Sequence, residues 1–295
     1  MIYSVVLVNV ANRRSTASSD YWNQRVSRAQ LKRYLSSLAE MAEKSERLKY
    51  KPTVIDDLKF FSRECGNDSL IVFVTDLRES EDEVIKRINS AARVLRGITG
   101  EKSASFIRTN FPGIVDPVVT SRFVIASVGE SGVGKTSILH LLMETPPPEE
   151  HLPTVLLNTE VLPNIRFANY DIMILDFGGQ LQSQKLWDFS RADMAFLVSD
   201  STLKNLVTSK GIMAKVQQEY PKLPIRVFAN KQDLPNALDP SAIGKVMGVD
   251  VQSLVAVDLA YRVNLLKSLV HLLCEHFGLE VPDISPDALL RFNPA

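Results

Sequence analysis

The stretch GESGVGKT, residues 129–136, decides the fold of the second half of this chain. It fits the pattern GxxxxGK(S/T), follows the apolar run Phe123–Val128, and leads straight into the helix-like segment 136–143. Glycines let backbone N–H groups turn inward around a phosphate chain, and a helix start adds partial positive charge. The stretch therefore predicts a strand, a phosphate-binding loop and a helix, in that order.

The residues of this loop have expected roles in such a site. Lys135 should reach the β- and γ-phosphates of a nucleotide, and the hydroxyl of Thr136 should bind Mg²⁺. The alternative is a glycine-rich turn with a solvated lysine, which the full match between a strand and a helix disfavours. The candidate phosphate-binding residues are Gly129, Ser131, Gly132, Val133, Gly134, Lys135, Thr136 and Ser137.

A second motif follows the apolar run Ile172–Leu175. An aspartate at the end of a core strand, Asp176, can bind Mg²⁺ through water, and the N–H of Gly179 can meet a γ-phosphate. Gln180 would orient the attacking water. Taken alone, Asp176 could be a helix cap and Gln180 a solvated loop residue, but the phosphate loop upstream favours the functional interpretation.

A third motif, NKQD at residues 230–233, follows the apolar run Ile225–Ala229. The Asp233 carboxylate can accept from the ring N–H and the exocyclic amine of guanine, whereas adenine presents an acceptor there. The stem of Lys231 can lie along the base, and Asn230 can tie this loop to the phosphate loop. Turns favour Asn and Asp, so the motif alone is weak; at a strand end and downstream of a phosphate loop it indicates guanine.

The composition is that of an ordinary globular protein. The 295 residues are 45% apolar, and 34 basic residues balance 34 acidic ones, so no global charge points to nucleic acid. Cys65 and Cys274 have no CxxC spacing, which gives neither a disulfide framework nor a zinc site and favours a reducing, cytoplasmic location. We find no apolar run of membrane-spanning length and no basic region of a secretory signal at the start.

Apolar runs alternate with helical stretches through the second part of the chain. This alternation predicts an α/β domain over residues 121–281, with a mostly parallel sheet, helices on both faces and the ligand at the carboxyl ends of the strands. Residues 282–295 are expected to form a tail. The strand candidates are Phe123–Val128, Ile172–Leu175, Ala195–Val198, Ile225–Ala229 and Leu254–Val257.

Residues 101–120 are interpreted as a linker, because prolines and glycines interrupt every periodic pattern there, and the domain boundary is placed near Val118. Before it, residues 1–100 predict a smaller α/β domain. Its expected elements are a strand over Met1–Val10, a loop from Ala11, a long helix capped at Ser18–Asp20, a hairpin of Leu58–Cys65 with Leu70–Thr75, and a capped helix that begins after Ser80 and ends before Gly97. Arg25, Arg28, Lys32 and Arg33 give the long helix a basic face, interpreted as solvated surface.

Residues 122–279 resemble a Ras-superfamily small GTPase, and several motifs resemble the Arf/Arf-like branch. These motifs are Pro153-Thr154 with Asn158 and Glu160, DFGGQ at 176–180, Leu186-Trp187, and NKQDLPNA at 230–237. By this likeness Thr154 is the first-switch threonine that meets Mg²⁺ and the γ-phosphate, and residues 178–190 form the second switch. Leu259, within Asp258-Leu259-Ala260, stands where the family usually has a Ser-Ala-Lys loop over the guanine.

Three features depart from the Arf pattern. The phosphate loop, with Ser131-Gly132-Val133, is closer to the Rab type, and Asp258-Leu259-Ala260 predicts a weaker hold on the base. Residue 2 is Ile rather than an acylated glycine, and the final residues lack a prenylatable cysteine. No direct lipid anchor is therefore expected, while peripheral recruitment to membranes and the oligomeric state stay open.

The resemblance implies a GTP-binding switch that hydrolyses GTP to GDP with Mg²⁺, in trafficking or signalling. Segments around 150–160 and 178–190 would recruit effectors, with protein exchange and activating factors as partners. Intrinsic hydrolysis should be slow, because spacing supports no arginine finger in this chain.

Two further points belong to the first domain and to the rival functions. The element order of residues 1–100 is similar to longin or roadblock-type modules, which would modulate the switch. The alternatives are an interaction scaffold stabilised by a nucleotide with little or no turnover, and a P-loop ATPase or small-molecule kinase, which NKQD disfavours.

Overall fold

The structure, a computed structural model, describes residues 1–23, 26–44, 51–66, 68–99, 101–146, 157–158, 165–179 and 187–292. The chain divides into two units. The first comprises Met1–Ser121 together with Phe167–Tyr170, and the second comprises Arg122–Arg166 and Asp171–Ala295. The predicted domain limits stay a prediction. Within the described ranges, no helix is long and apolar enough to cross a membrane.

The first unit is built on a five-stranded antiparallel sheet in the order β2-β1-β5-β4-β3. One face packs against two of its helices in an apolar core that includes Phe61, Phe73 and Phe111. The strands are β1 (Ile2–Asn9), β2 (Arg14–Asp20), β3 (Thr53–Ile55), β4 (Leu58–Gly66) and β5 (Ser69–Thr75), and the helices are α1 (Arg28–Lys44), α2 (Glu81–Thr99) and α3 (Ala104–Val119).

The first strand and the β4–β5 hairpin are confirmed, but three other predictions for this unit were wrong. Residues 14–20 form strand β2 rather than a loop and helix cap, and α1 begins only at Arg28. The serine-rich sequence of β2 did not indicate a strand, because β2 lies at the sheet edge with one exposed face. Helix α2 also continues past Gly97 to Thr99.

The predicted linker is largely helix. Residues Ala104–Val119 form α3, with Ser103 as the N-cap, although Pro112 and Pro117 lie inside it. Each proline removes one backbone donor, but the stripe of Ile107, Phe111, Val115 and Val119 at four-residue spacing is buried in the core. Tertiary burial therefore outweighs the local penalty.

The second unit confirms the predicted α/β domain with a mostly parallel sheet. Its sheet has the order β12-β11-β10-β6-β9-β8-β13, and β7 pairs with β9. The pairs β10–β6, β10–β11 and β11–β12 are parallel. The strands are β6 (Ser121–Val128), β7 (Leu157–Asn158), β8 (Ile165–Phe167), β9 (Tyr170–Phe177), β10 (Met194–Ser199), β11 (Ile225–Ala229), β12 (Val251–Ser253) and β13 (Leu290–Phe292). The helices are α4 (Lys135–Met143), α5 (Leu203–Glu219), α6 (Pro240–Met247), α7 (Arg262–Phe277) and the short α8 (Pro286–Leu289), with a 3₁₀ turn at Leu259–Tyr261.

Two predictions within this unit need correction. The strand at this position is Val251–Ser253 rather than 254–257, because residues 254–256 are buried but belong to the turn that follows the strand. The expected tail is also structured, since it contains α8 and places β13 beside β8. The segment is short and its two buried leucines, Leu289 and Leu290, are adjacent, so they gave no period to detect.

The chain returns to the first unit at residues 167–170. Asn169 is fully buried there: its Oδ1 accepts from the N–H of Ile2 at 3.1 Å, and its carbonyl accepts from the N–H of Ser121 at 2.9 Å. Phe167 packs edge-on against Trp22, with ring centroids 5.2 Å apart. These contacts make a short β-turn part of the core of the first unit.

Candidate functional site

The phosphate loop lies between β6 and α4 and requires its glycines. Gly129, Gly132 and Gly134 have φ values of +147°, +80° and +100°, a region that other residues rarely adopt. A Cβ at Gly134 would lie 2.1 Å from Nδ2 of Asn230, and one at Gly129 would lie 2.4 Å from the carbonyl oxygen of Val198. The loop is therefore held close to the neighbouring strand ends.

Lys135 is the first residue of α4, and only 6% of its surface is exposed. Its ammonium donates to the carbonyl oxygens of Glu130 at 2.9 Å and Gly129 at 3.2 Å. Burial holds the pKa of Lys135 below its usual range, although the carboxylates of Asp176 and Glu130 partly oppose that shift. A buried cation enclosed by its own loop is well placed for a phosphate chain.

Thr136 and Asp176 meet at the carboxyl ends of the strands. The Thr136 hydroxyl donates to Oδ2 of Asp176 at 2.7 Å, and Asp176, on β9, is 1% exposed. A hydroxyl beside a buried carboxylate supplies the oxygen ligands that Mg²⁺ prefers. The structure thus brings together two of the three predicted metal ligands.

Gly179 lies against the phosphate loop. A Cβ at this position would be 2.4 Å from the carbonyl carbon of Glu130 and from the backbone nitrogen of Ser131. Only glycine allows the segment after β9 to approach the loop so closely. The predicted proximity of the two motifs is therefore present in the structure.

Asn230 joins the predicted base-binding motif to the phosphate loop. Its Nδ2 donates to the carbonyl oxygen of Val133 at 2.8 Å, and its Oδ1 accepts from the N–H of Ala256 at 2.9 Å. Lys231 follows with φ of +61°, and the side chain of Gln232 donates to Ser201 and to the carbonyl of Leu238. One buried amide thus connects three loops at the sheet edge.

The remaining predicted residues have various placements. Asp233 is exposed on the loop that follows β11, Leu259 is exposed in the 3₁₀ turn Leu259–Tyr261, and Ser137 is half-buried in the first turn of α4. Thr154 and Gln180 lie outside the described residues, as do most of both expected switches. Their predicted roles are untested by the structure.

The sequence motifs missed the side chains that support the site. Asn205, buried on α5, donates to the carboxylate of Glu130 and accepts from the hydroxyls of Ser199 at 2.7 Å and Ser209 at 3.0 Å. Trp187 donates to the carbonyl of Gly178 at 3.2 Å. The only signal for Asn205 was a polar residue on the face of α5 that also buries Leu206, Ile212 and Met213.

The arrangement fits a nucleotide phosphate chain with Mg²⁺. The cradle of glycine backbone offers N–H groups at a helix start, and Lys135 and the Thr136–Asp176 pair supply charge and oxygen ligands. Four loops from separate parts of the sequence converge at one edge of the sheet to form this site.

Comparison with known proteins points to one family. The family model described as "ADP-ribosylation factor family" matches residues 118–267. Among similar proteins, ADP-ribosylation factor-like protein 5 of Caenorhabditis elegans is 31% identical over 136 residues, covering 44% of this chain and 74% of that protein. ADP-ribosylation factor-like protein 1 of Saccharomyces cerevisiae is 34% identical over 130 residues, covering 42% and 69%.

A third relative, ADP-ribosylation factor-like protein 10 of Mus musculus, is 30% identical over 125 residues and is covered over 50% of its length. The match to the family model spans half of the chain and contains all the loops described above. On these grounds, the chain belongs to the ADP-ribosylation factor family of small GTP-binding switch proteins.

Proposed function

We propose that residues 129–137 bind the phosphates of GTP and GDP, and that Asn230, Lys231, Asp233 and Leu259 hold the guanine. Thr136, Thr154 and, through water, Asp176 would hold Mg²⁺. The observation that carries the proposal is the buried Lys135 ammonium, enclosed by the loop that Asn230 ties to the base-binding segment.

Each group has a defined task in GTP hydrolysis. Bound Mg²⁺ supplies charge neutralisation at the β- and γ-phosphates. Lys135 and the backbone N–H groups of the loop orient and stabilise the same phosphates, and Gln180 positions the attacking water. With no arginine finger assigned in the chain, we expect slow intrinsic turnover and acceleration of about 10³–10⁵-fold by an activating partner.

The switch itself would lie in residues 150–160 and 178–190. GTP with Mg²⁺ would order these segments through Thr154 and Gly179, and loss of the γ-phosphate would release them. The surface offered to effectors in trafficking or signalling would change with the nucleotide. The close approach of Gly179 to the phosphate loop supports this part of the proposal.

The first unit would be a longin- or roadblock-like module that modulates the switch. Its element order, β1-β2-α1-β3-β4-β5-α2-α3, supports that likeness. Hydrogen exchange of the full chain with GDP and with a non-hydrolysable GTP analogue tests the modulation. Changes in protection within residues 1–118 support it, and identical exchange there in both states argues against it.

The direct test of the site is substitution of the buried lysine. Lys135→Ala should abolish binding of a fluorescent guanine nucleotide, because it removes the cation that faces the phosphates. Lys267→Ala, an exposed lysine of α7, is the matched control and should bind normally. Normal titration of the Lys135 variant would refute the phosphate-binding role.

Substitution of the expected water-positioning residue separates a switch from a nucleotide-stabilised scaffold. Gln180→Leu should retain GTP binding but lose phosphate release, measured over hours against a heat-inactivated control. Turnover by the unsubstituted chain excludes the scaffold. Equal turnover in both proteins would remove Gln180 from the mechanism.

A further inference from the structure

A second candidate site lies in the first unit and contains no residue assigned to the nucleotide. Helix α1 packs over one face of the sheet at β3 and β4, where Tyr34 stacks on Phe60 with ring centroids 5.0 Å apart. On that same face, β1 and β2 border a groove of about 890 Å³, which the exposed side of α1 and the β1–β2 turn close from the sides.

The part of the sheet face that forms the floor of the groove contains polar side chains, whereas the part that α1 covers is apolar. Strand register places Phe60, Val74, Ser4 and Asp20 in one row across the sheet. The first two are buried and apolar, but Ser4 and Asp20 line the groove, and the Ser4 hydroxyl donates to Oδ1 of Asp20 at 2.7 Å. A surface meant for another core helix would continue the apolar row.

The walls and rim are basic. Four exposed cations line the groove: Arg13 in the β1–β2 turn, Arg14 at the start of β2, and Arg28 and Lys32 on α1. Within the part of the chain that the structure describes, none of these four cations forms an ion pair. Among the described residues that line the groove, Asp20 is the single acidic one, so four positive charges face one carboxylate there. Such a surface attracts anions.

Apolar side chains lie beneath the charges. Val6 from the floor and Leu31 and Leu35 from α1 line the same groove; Leu31 is partly exposed and offers most of this apolar surface, whereas Val6 and Leu35 are at most 8% exposed. A phosphate or a lipid headgroup would make no use of this apolar strip. A polypeptide with alternating acidic and apolar side chains would use both the strip and the rim.

We propose that this groove binds an extended acidic peptide of a partner protein, with carboxylates at Arg13, Arg14, Arg28 and Lys32 and apolar side chains on Val6, Leu31 and Leu35. Strand β2 is seven residues long. An extended segment rising about 3.3 Å per residue would need a similar number of residues to follow it. The basic face of α1 is then a recognition surface rather than solvated helix.

The test measures binding of a fluorescein-labelled peptide of four Glu-Leu repeats to the full chain by fluorescence anisotropy. The groove variant carries Arg28→Gln and Lys32→Gln. The matched control carries Lys86→Gln and Arg93→Gln on α2, which removes the same charge from a surface outside the groove. Guanine-nucleotide binding and the melting curve show that each variant is folded.

We expect saturable binding that weakens with added salt, with Kd raised about tenfold or more in the groove variant and less than about twofold in the control. Equal weakening in both variants would mean nonspecific attraction and would overturn the proposal. So would the absence of saturable binding below about 1 mM peptide. A fourth result, in which phosphatidylcholine–phosphatidylserine vesicles bind through Arg28 and Lys32 while the peptide does not, would assign the groove to lipid instead.

Discussion

At the scale of a single residue, Asn230 shows how the site is held together. Its side-chain amide is 2% exposed and contacts the phosphate loop at Val133 and the following turn at Ala256. The same amide would lie 2.1 Å from a Cβ at Gly134, so the loop glycine and Asn230 are mutually dependent. Because the amide occupies this space, even alanine at 134 would break the connection between the two loops.

Asp233 determines the choice of base in our proposal. Asp233→Asn replaces one acceptor oxygen with an amide donor, which would face the exocyclic amine of guanine, so affinity for GTP should fall about 100-fold or more. Affinity for xanthosine triphosphate, which keeps the ring N–H and carries a carbonyl in place of that amine, should rise. Competition binding of the two nucleotides measures both changes.

Asp250→Asn, an exposed aspartate beside β12, is the control and should leave both affinities unchanged. If Asp233→Asn keeps its preference for GTP over xanthosine triphosphate, the carboxylate does not select the base.

At the scale of the element, the strand–loop–helix unit of β6 and α4 was predictable from eight residues. The reason is physical: close backbone approach allows only glycine at 129 and 134, so the requirement is written in the sequence itself. Helix α3 and strand β2 were not predictable in this way. Packing on the core decides α3 in spite of its prolines, and partner strand β1 decides β2.

Substitution by alanine should have opposite effects at Gly179, which lies against the phosphate loop, and at Gly211, which lies within α5. Gly179→Ala should weaken GTP binding by about tenfold or more, because its Cβ would overlap the backbone of Glu130 and Ser131 and separate β9 from the phosphate loop. Affinity for GDP should fall less, since the Gly179 N–H is expected to meet only the γ-phosphate. Titration with fluorescent analogues of both nucleotides checks this.

At Gly211→Ala, within α5, the added Cβ has no described atom within 4 Å apart from its chain neighbours and the backbone of its own helix. It should leave nucleotide binding unchanged and stabilise the protein by about 0.5–1 kcal/mol, since alanine favours helix. Equal GTP affinity in the Gly179 variant and this control would show that the two segments need not approach each other.

At the scale of the whole molecule, the candidate site could be located from the sequence but its support could not. The three motifs name residues that line the strand ends, because parallel strands place their carboxyl ends at one edge. The Asn205–Glu130 contact joins two side chains 75 positions apart, and the sequence around neither residue predicts it. The same holds for Asn169, whose partners lie near residues 2 and 119–121.

Asn169 provides a test of how the first unit is held together. Asn169→Ala would leave the buried N–H of Ile2 without its acceptor, which should destabilise the first unit by about 1–3 kcal/mol. Faster hydrogen exchange in β1, with a lowered melting transition, measures this. Asn110→Ala, at an exposed position of α3, should have no such effect, and unchanged exchange in the Asn169 variant would contradict the prediction.

The packing of residues 167–170 in the first unit constrains where this protein can be cut into fragments or recombined with other domains. A gene fragment that stops at residue 121 omits Phe167 and Asn169, so its product would have an incomplete interior around Trp22 and Ile2. Conversely, replacing the second unit with a different GTPase domain would put a foreign turn where Phe167 and Asn169 pack in the first unit. A chimera joined at a single point near residue 121 therefore loses these contacts. A folded chimera must exchange residues 1–121 and 167–170 together.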